Sequence, residues 1–327
     1  MQPLLLTHAA CAGALQWPGA IDALRRGHRL PRPQLGDLVL GAGGRQLVNR
    51  CAGIPGLGFL IKGETVFSGN AGRGLPSIQG AALLYDDAGG SLRAIVESSL
   101  ITQYKTAADS VLGAQCLARP DSRHLLLVGA GAIATALARA YDAAFPGLER
   151  ISIWSRRPAQ ARALAEQLGA LRSSVVAVAD LPQAVGQADI VAAATMATEP
   201  VLHGRWVRPG THVDLVGAFS PDMRESDDQL MAAARVYVDC TETVVDRIGD
   251  LVQPIRSGAI SRAHVRGDLY DLVAAKAPCR QSDAQITLFK NGGGAHLDLM
   301  VAHYIVRAVQ GASARAAAAR AAQDRGG

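Results

Sequence analysis

One stretch of the chain, from His124 to Arg157, constrains the fold more than any other. It begins with the apolar run Leu125–Val128, which is too short for a helix and typical of a strand buried on both faces. A glycine-rich turn follows, then apolar residues at helical spacing, and then a second apolar run at Ile151–Trp154. The predicted order is strand, glycine turn, helix, strand, which is the beginning of a parallel α/β sheet.

The turn reads Gly129-Ala-Gly131-Ala132-Ile133-Ala134. Gly129 permits the tight turn, and Gly131 lets a dinucleotide pyrophosphate approach the backbone. The helix that begins at Ala132 and Ile133 offers free N–H groups and the positive end of its dipole. Ala134 stands in place of the third glycine and is still small enough for the helix to pack closely on the strand. The pattern predicts a dinucleotide-binding site, the alternative being an ordinary glycine-rich turn.

The residues after the second strand bear on which dinucleotide is bound. NAD sites usually carry an acidic residue about 20 residues past the glycines, which accepts a hydrogen bond from the ribose 2′-OH. This chain has Ser155, Arg156 and Arg157 there, without a carboxylate. One hydroxyl and two guanidinium groups suit a 2′-phosphate. We therefore favour NADP(H) over NAD(H), the alternative being that both arginines belong to a solvated loop.

Strands and helices continue to alternate beyond this region, which is typical of a doubly wound parallel sheet. The predicted strands are Val175–Val178, Ile190–Ala194, Val213–Val216 and Val236–Asp239, and the predicted helices are Leu181–Gln187 and Asp227–Ala234. Ligands of such sheets lie beyond the carboxyl ends of the strands. We therefore expect the cofactor to be bordered by Thr195, Met196, Val216 and Gly217.

The two ends of the chain predict a different, mixed α and β structure. Residues 31–65 are rich in Gly and Pro and predict loops and short strands. The other predicted elements are strands at Leu4–Leu6, Phe59–Phe67, Ala81–Asp86 and Arg93–Glu97, and helices that end at Gly27 and span Ser99–Ala118. From Leu288 a glycine turn leads into a helix towards Arg307, and Ala312–Gly327 predicts a fraying helix without a site.

Two lysines in these flanking segments are candidates for chemistry. Lys62 interrupts the apolar run Phe59–Phe67, either as an edge-strand charge that points to water or as a desolvated ammonium that lines a cleft. Near the start of the helix at Ser99–Ala118, Lys105 and Thr106 offer a cation for a carboxylate and a hydroxyl for a phosphate. The alternative is that both face solvent.

Composition limits the classes of protein. With 327 residues, 49% of them hydrophobic, we expect two domains. The net charge of +5 is scattered and aromatic residues make up only 4%, which argues against a nucleic-acid partner. Five cysteines without a CxxC pattern predict free thiols in a reducing compartment and no metal site. No apolar run reaches the ~18 residues of a membrane span, and no basic segment typical of a signal peptide opens the chain. We therefore expect a cytoplasmic protein without a membrane partner.

Several blocks resemble, in order, those of the ornithine cyclodeaminase/mu-crystallin family. They are Lys62 with TVFSGNAGRGLPSIQG (65–80), QYKTAADS (103–110), VGAGAIA (128–134), ADIVAAATMATEPVL (188–202), GTHVDLVGAFSPDMRE (210–225) and LFKNGGGAHLDL (288–299). The resemblance implies an α/β fold in which a Rossmann doubly wound parallel sheet, residues 119–290, is inserted into an α+β domain. That α+β domain, residues 1–118 with 291–327, would bind the substrate and form a homodimer.

The resemblance also implies roles for single residues. Lys62 falls on the active-site lysine of the family, and Lys105 falls where many members have an arginine that holds the substrate carboxylate. A lysine there lacks the bidentate fork of arginine. Thr106 matches a hydroxyl that contacts the cofactor pyrophosphate, and Lys290, in the last block, is counted with the cofactor-binding residues. For the early arginine that binds the carboxylate, we favour Arg50 over Arg45.

One departure from the family pattern bears on the subfamily. Cyclodeaminases carry an aspartate that holds the side-chain amine of ornithine, and Phe219 takes that place here. Without a carboxylate, such an amine has no obvious partner. We therefore predict an NAD(P)H-dependent reductase that delivers hydride to the C=N carbon of a small α-imino acid, with Lys62 and Lys105 on its carboxylate.

The imine is either cyclic, as in Δ1-pyrroline- or Δ1-piperideine-2-carboxylate, or acyclic. A second carboxylate, as in iminosuccinate, would suit Arg73. The alternatives are an ornithine cyclodeaminase, an amino-acid dehydrogenase of the alanine type and a dinucleotide-binding protein without turnover.

Overall fold

The computed structural model describes residues 2–323. These residues form two compact units, one made of the chain up to Lys105 and from Gly294 onwards, the other of Thr106–Gly293. The division falls inside a continuous helix, Ser98–Leu117, whereas the sequence predicted a junction between residues 118 and 119. The helix continues past Lys105 because no proline interrupts it before Arg119-Pro120.

The first unit is built on one sheet of six strands. They are β1 (Leu4–Leu6), β2 (Gln34–Ala42), β3 (Arg45–Ile54), β4 (Gly58–Phe67), β5 (Ile78–Tyr85) and β6 (Leu92–Glu97). Their order in the sheet is β1-β6-β5-β4-β3-β2, and neighbours are antiparallel except β1 and β6. The helices, numbered along the whole chain, are α1 (Trp17–Gly27), the first turns of α2 (Ser98–Leu117) and α10 (Ala295–Gln323). Helix α10 packs against α1 and against β3, β4 and β5.

The prediction of loops and short strands at residues 31–65 is wrong for most of that range. Strands β2 and β3 are long and pair along their length from Gln34 opposite Gly53 to Ala42 opposite Arg45. Every residue of β2 is exposed, so this edge strand lacks the alternation of buried and exposed positions by which strands are recognised. The turn between them uses Gly43 and Gly44 at φ +62° and +77°, the conformation of a tight hairpin.

Helix α10 confirms the predicted helix after the glycine turn. It is one uninterrupted helix of 29 residues, and it includes most of the tail that was predicted at Ala312–Gly327. Residues 324–327 of that tail lie outside the described residues. In the part of the chain that the structure describes, no helix combines the length and the apolar character needed to cross a bilayer.

The second unit is a seven-stranded parallel sheet. Its strands are β7 (His124–Val128), β8 (Arg150–Trp154), β9 (Ser174–Ala177), β10 (Ile190–Ala193), β11 (His212–Leu215), β12 (Arg235–Val238) and β13 (Thr287–Lys290). Their order is β12-β13-β11-β10-β7-β8-β9. The order reverses between β7 and β10, so the sheet is doubly wound with its switch point beside the glycine turn. The predicted Rossmann fold is confirmed.

The helices of this unit connect its strands along the chain. They are the rest of α2, α3 (Ala132–Ala144), α4 (Pro158–Gln167), α5 (Leu181–Gln187), α6 (Asp228–Ala233), α7 (Thr241–Val244), α8 (Gly249–Arg256) and α9 (Leu269–Ala274). The sequence predicted α3, α5 and α6, but not the short helices that follow them. It also missed β13, which lies fully buried between β11 and β12. A segment of only four residues that ends in Lys290 lacks the sequence pattern of a buried strand.

Candidate active site and cofactor-binding strand ends

Lys62 lies inside the first unit, not at its edge. Strand β4 is flanked on both sides by β3 and β5, and the Lys62 side chain is only 4% exposed. Its ammonium lies 3.1 Å from Oδ2 of Asp298 and 3.4 Å from Oε2 of Glu64, and donates to the Thr102 hydroxyl at 3.4 Å. The interpretation as an edge-strand charge in water is therefore wrong. Lys62 is a buried ammonium that is ion-paired with two carboxylates.

Asp298 is the anion around which this cluster is arranged. It lies fully buried on α10, and besides Lys62 it has the Lys105 ammonium 4.0 Å from Oδ1. Burial would raise the pKa of Asp298, but Lys62, then Lys105 and Arg50, outweigh burial and leave that pKa below its ordinary value. Asp298 is therefore ionised at neutral pH and keeps two ammonium groups beside each other.

The early arginines differ in their relation to this cluster. Arg50 lies on β3 directly opposite Lys62 on β4, so the two side chains share one face of the sheet. Arg45 begins β3, and its guanidinium lies over the Phe67 ring at 5.2 Å. This arrangement supports the preference for Arg50. Arg73 is an exposed residue at the end of the 3-10 helix Ser68–Arg73, and it makes no ion pair with any residue in the range 2–323.

In the second unit, the glycine turn has the geometry that the sequence predicted. Gly129 has φ +121°, and a Cβ there would lie 2.6 Å from the Ala194 carbonyl oxygen, so only glycine fits. Gly131 is the N-cap of α3, and a Cβ there would meet no atom within 4 Å. The N–H groups of Ala132 and Ile133 open a 13-residue helix beside this clear backbone position. The turn therefore fits a dinucleotide pyrophosphate.

The end of β8 is open and basic. Arg156 and Arg157 are exposed, and the Arg157 N–H donates to the Ser155 hydroxyl at 3.3 Å. Arg157 is also the N-cap residue of α4. Strand β8 therefore ends without a carboxylate, and two guanidinium groups remain accessible to an anion. Thr106, the other predicted phosphate contact, is half-buried in α2, and its carbonyl accepts from the Asn291 side chain at 2.9 Å.

A buried carboxylate that sequence analysis missed, Glu225, holds the ends of β10 and β11. Its Oε1 accepts from the N–H and the hydroxyl of Thr195, each at 2.7 Å, and its Oε2 accepts from the Gly217 N–H at 2.6 Å. A Cβ on Gly217 would lie 2.0 Å from the Thr195 carbonyl oxygen. Burial, and then the neighbouring Asp250 carboxylate, raise the pKa of Glu225. Glu225 thus positions Thr195 and Gly217, two of the residues expected to border the cofactor.

The remaining strand-end residues divide into exposed and sealed groups. Val216 is half-buried, and Met196 and Phe219 are exposed to 74% and 61%. Lys290 differs from its predicted role, because its side chain has no exposed surface. Its ammonium lies 3.2 Å from Asp250 and donates to the Leu215 carbonyl at 3.0 Å. These internal contacts, rather than a cofactor contact, account for Lys290.

Sequence and structure comparisons relate this chain to known proteins. Residues 58–313 match the profile of the ornithine cyclodeaminase/mu-crystallin family. The chain belongs to this family. A Δ1-pyrroline-2-carboxylate reductase of Paracoccus denitrificans (strain Pd 1222) is 58% identical over 309 residues, which cover 94% of this chain and 98% of the relative. The ketimine reductase mu-crystallin of Rattus norvegicus is 33% identical over 74% of this chain and 73% of its own length.

A solved structure of the same family has the same fold. The Δ1-pyrroline-2-carboxylate reductase of Thermococcus litoralis, in complex with NADH and L-proline, superposes with a TM-score of 0.88 at 26% identity. The match covers 95% of this chain and 98% of that one. The resemblance stated from the sequence motifs is therefore confirmed. Phe219, the residue expected in place of the cyclodeaminase aspartate, follows β11 as an exposed apolar side chain.

Proposed function

We propose that this protein reduces Δ1-pyrroline-2-carboxylate, or a closely related cyclic α-imino acid, to the amino acid with NAD(P)H. The observation that carries the proposal is the pair of ammonium groups, Lys62 and Lys105, held together by the fully buried Asp298. Two fixed cations suit a substrate carboxylate. The extensive similarity to a Δ1-pyrroline-2-carboxylate reductase supports the same substrate.

The charged side chains of the cluster have a formal excess of one positive charge. Three cations (Lys62, Lys105 and Arg50) face two carboxylates (Asp298 and Glu64), so the formal sum is 3 − 2 = +1. The carboxylate of the substrate lies against that positive excess, and the similarity to a Δ1-pyrroline-2-carboxylate reductase supports a substrate with one carboxylate. Arg73, the residue that would suit a second carboxylate, has no ion pair with the described part of this cluster. The cyclic monocarboxylates are therefore preferred.

The chain's own residues bind, orient and polarise the substrate. Lys62 and Lys105 hold its carboxylate, and Asp298 keeps both side chains in place. The cofactor, when bound at the Gly129–Gly131 turn, supplies the hydride. The cationic surroundings also attract an anionic substrate out of water, and fixed charges of this kind do not need to reorganise during the reaction.

The test is an NADPH and NADH oxidation screen with Δ1-pyrroline-2-carboxylate, Δ1-piperideine-2-carboxylate and iminosuccinate, and with pyruvate in the presence and absence of ammonia. We expect rapid oxidation with the two cyclic imines. Turnover only with pyruvate and ammonia would identify an alanine-type dehydrogenase. Release of ammonia from ornithine without added reductant would identify a cyclodeaminase, and cofactor binding without any turnover would contradict the enzyme proposal altogether.

We further propose that the preferred cofactor is NADPH. The exposed Arg156 and Arg157, and the lack of a carboxylate at the end of β8, support this choice. Replacing both arginines with alanine should lower kcat/KM with NADPH at least about tenfold, since charge-assisted contacts to a phosphate are lost. The kcat/KM with NADH should change by less than about threefold. Equal losses with both cofactors would contradict a 2′-phosphate contact.

The homodimer expected from the family has support in the first unit. One face of its sheet, opposite to the face of Lys62, exposes large apolar side chains on four of its six strands. They are Leu5, Leu38, Leu40, Leu47, Phe59 and Ile61, each 39% exposed or more. Contiguous apolar patches of this kind mark association surfaces. We propose that a second copy covers this face, and we expect sedimentation at twice the chain mass of 34.0 kDa. The double variant Leu38→Asp, Leu40→Asp should sediment as a monomer.

The expected cytoplasmic location rests on the cysteines. Cys11, Cys51, Cys116, Cys240 and Cys279 are all free thiols in the structure. Free thiols persist in a reducing compartment. We therefore propose that the protein works there, which fractionation of cells that produce it would test.

A further inference from the structure

Glu64 is a second carboxylate beside Lys62, and sequence analysis did not single it out. It lies two residues after Lys62 on β4, so both side chains are on the same face of the sheet. The distance between Lys62 Nζ and Glu64 Oε2 is 3.4 Å. Glu64 therefore belongs to the charged cluster described above, on the same face of β4 as the ammonium.

The two carboxylates of the cluster differ in accessibility. The side chain of Asp298 has no exposed surface, that of Lys62 is 4% exposed, and that of Glu64 is 15% exposed. Glu64 is thus the carboxylate on the open side of the cluster. Among the contacts of residues 2–323, only its Oε2 is engaged, by Lys62. Oε1 is left for another donor.

The proposed reaction needs an anion at one point of the substrate. An imine accepts hydride readily when its nitrogen is protonated, and a buried N–H cation requires a partner of opposite charge. The other charged groups around Glu64 are Lys62 on β4, Arg50 on β3, Lys105 on α2 and Asp298 on α10. Three of these four are cations, and the fourth is already held between Lys62 and Lys105.

Resting on the reductase function proposed above, we propose that Glu64 binds the protonated imine nitrogen of the substrate. The carboxylate of the substrate then lies on Lys62 and Lys105 while its N–H donates to Glu64 Oε1. Hydride adds to the imine carbon, the π electron pair of the C=N bond becomes the lone pair on nitrogen, and the N–H proton stays on the product amine. The two contacts together fix the orientation of the planar C=N bond.

A matched pair of ligands tests this contact without turnover. L-Proline carries the ring nitrogen as a cation, and cyclopentanecarboxylate has the same ring and carboxylate without nitrogen. Their dissociation constants are measured calorimetrically in the presence of NADPH, with which proline does not react. In Glu64→Gln, proline should bind about tenfold more weakly, whereas cyclopentanecarboxylate should bind as well as to the wild type or more tightly.

The pH profile provides the second measurement. In Glu64→Gln, kcat/KM for Δ1-pyrroline-2-carboxylate should fall more at pH 8 than at pH 6, because the protonated imine loses its anionic partner. Glu64→Asp should restore the profile of the wild type. Equal weakening of both ligands, or unchanged binding of proline, would overturn the role of Glu64. Failure of the wild type to reduce any imine would instead contradict the proposed function, and the ligand comparison would still report on Glu64.

Discussion

Each of the two units contains a buried cluster of charged side chains, and the two clusters have formal net charges of opposite sign. In the first unit, Lys62, Lys105 and Arg50 outnumber Asp298 and Glu64 by one. In the second unit, the carboxylates of Glu225 and Asp250 outnumber Lys290 by one. One cluster is therefore formally positive and the other formally negative.

The two clusters differ in the groups that compensate their net charge. In the second unit, the excess negative charge is met by the protein itself. Glu225 accepts from the N–H groups of Thr195 and Gly217, and Asp250 accepts from the Glu225 N–H at 2.8 Å. In the first cluster, the carboxylate of Glu64 is 15% exposed and leaves the cluster partly open. A sealed, internally satisfied cluster maintains structure, whereas an open cluster with unmatched charge is suited to a ligand of opposite sign.

The largest expected effect is that of Lys62→Met, which removes the central cation and keeps much of the side-chain volume. We expect kcat/KM for the cyclic imine to fall by about 1000-fold, the range typical of a group that stabilises the transition state. The dissociation constant of NADPH should change by less than about threefold, as measured by fluorescence titration. Similar losses in turnover and in cofactor binding would mean that the first cluster is not a substrate site.

Asp298→Asn should have the next largest effect. It leaves the Lys62 and Lys105 ammonium groups buried without their shared anion, and breaking a buried pair in this way costs about 3 kcal/mol. Urea unfolding would measure this loss. The matched control is Asp246→Asn, which breaks an exposed ion pair with Arg262 and should cost at most about 1 kcal/mol. If the two variants were equally stable, the first cluster would not depend on its buried anion.

Asp214, a further buried carboxylate of the second unit, should reveal itself through pH. Burial raises its pKa to about 7, although Ser110 and Tyr141 donate to it. Because this pKa is above its ordinary value, the folded protein takes up a proton, and the associated stability is lost as the pH rises from about 4 to about 7. The unfolding free energy of the wild type minus that of Asp214→Asn is plotted against pH. We expect this difference to fall with a slope of at most about 1.4 kcal/mol per pH unit. No slope in that window would mean that Asp214 is ionised throughout.

Asp298 should show the opposite dependence. Its pKa is lowered by the neighbouring lysines, against the effect of burial. Its contribution to stability is therefore present above the ordinary pKa of an aspartate and lost as the pH falls below that value. The two buried aspartates thus restrict the stable pH range from opposite sides.

The smallest effect is expected for Glu225→Gln. The substitution costs the hydrogen bond from Gly217, but it also removes one negative charge beside Asp250 and makes that cluster neutral. We expect the net change in unfolding free energy to stay within about 1 kcal/mol. A loss as large as that of Asp298→Asn would contradict the distinction between the two clusters.

The parts that could be predicted from sequence are those determined by neighbouring residues. The turn at Gly129–Gly131 can be recognised from the local sequence because the strand, the glycines and the helix follow one another directly. Strand β2 was not predicted because both of its faces are exposed. Strand β13 was not predicted because it is four residues long and ends in a lysine. No local pattern distinguishes them from loops.

The partners of the site residues could not be predicted for a different reason. Lys62 was recognised through its position in an apolar strand, but Asp298 lies 236 residues away along the chain, and only the folded sheet and α10 bring the two together. The sequence contained one usable signal, an acidic residue within the apolar helix segment Leu297–Leu299. Glu225 likewise depends on strand ends that are separated by many residues.

The position of Asp298 on the last helix has a consequence for biosynthesis. A ribosome releases β4 and α2 long before α10 emerges, so the nascent chain carries Lys62 and Lys105 without the anion that holds them together. The Rossmann unit, complete by Gly293, can fold during that interval, whereas Lys62 and Lys105 acquire their counter-charge only after α10 has been made. Assembly of the charged cluster thus follows synthesis of the whole Rossmann unit.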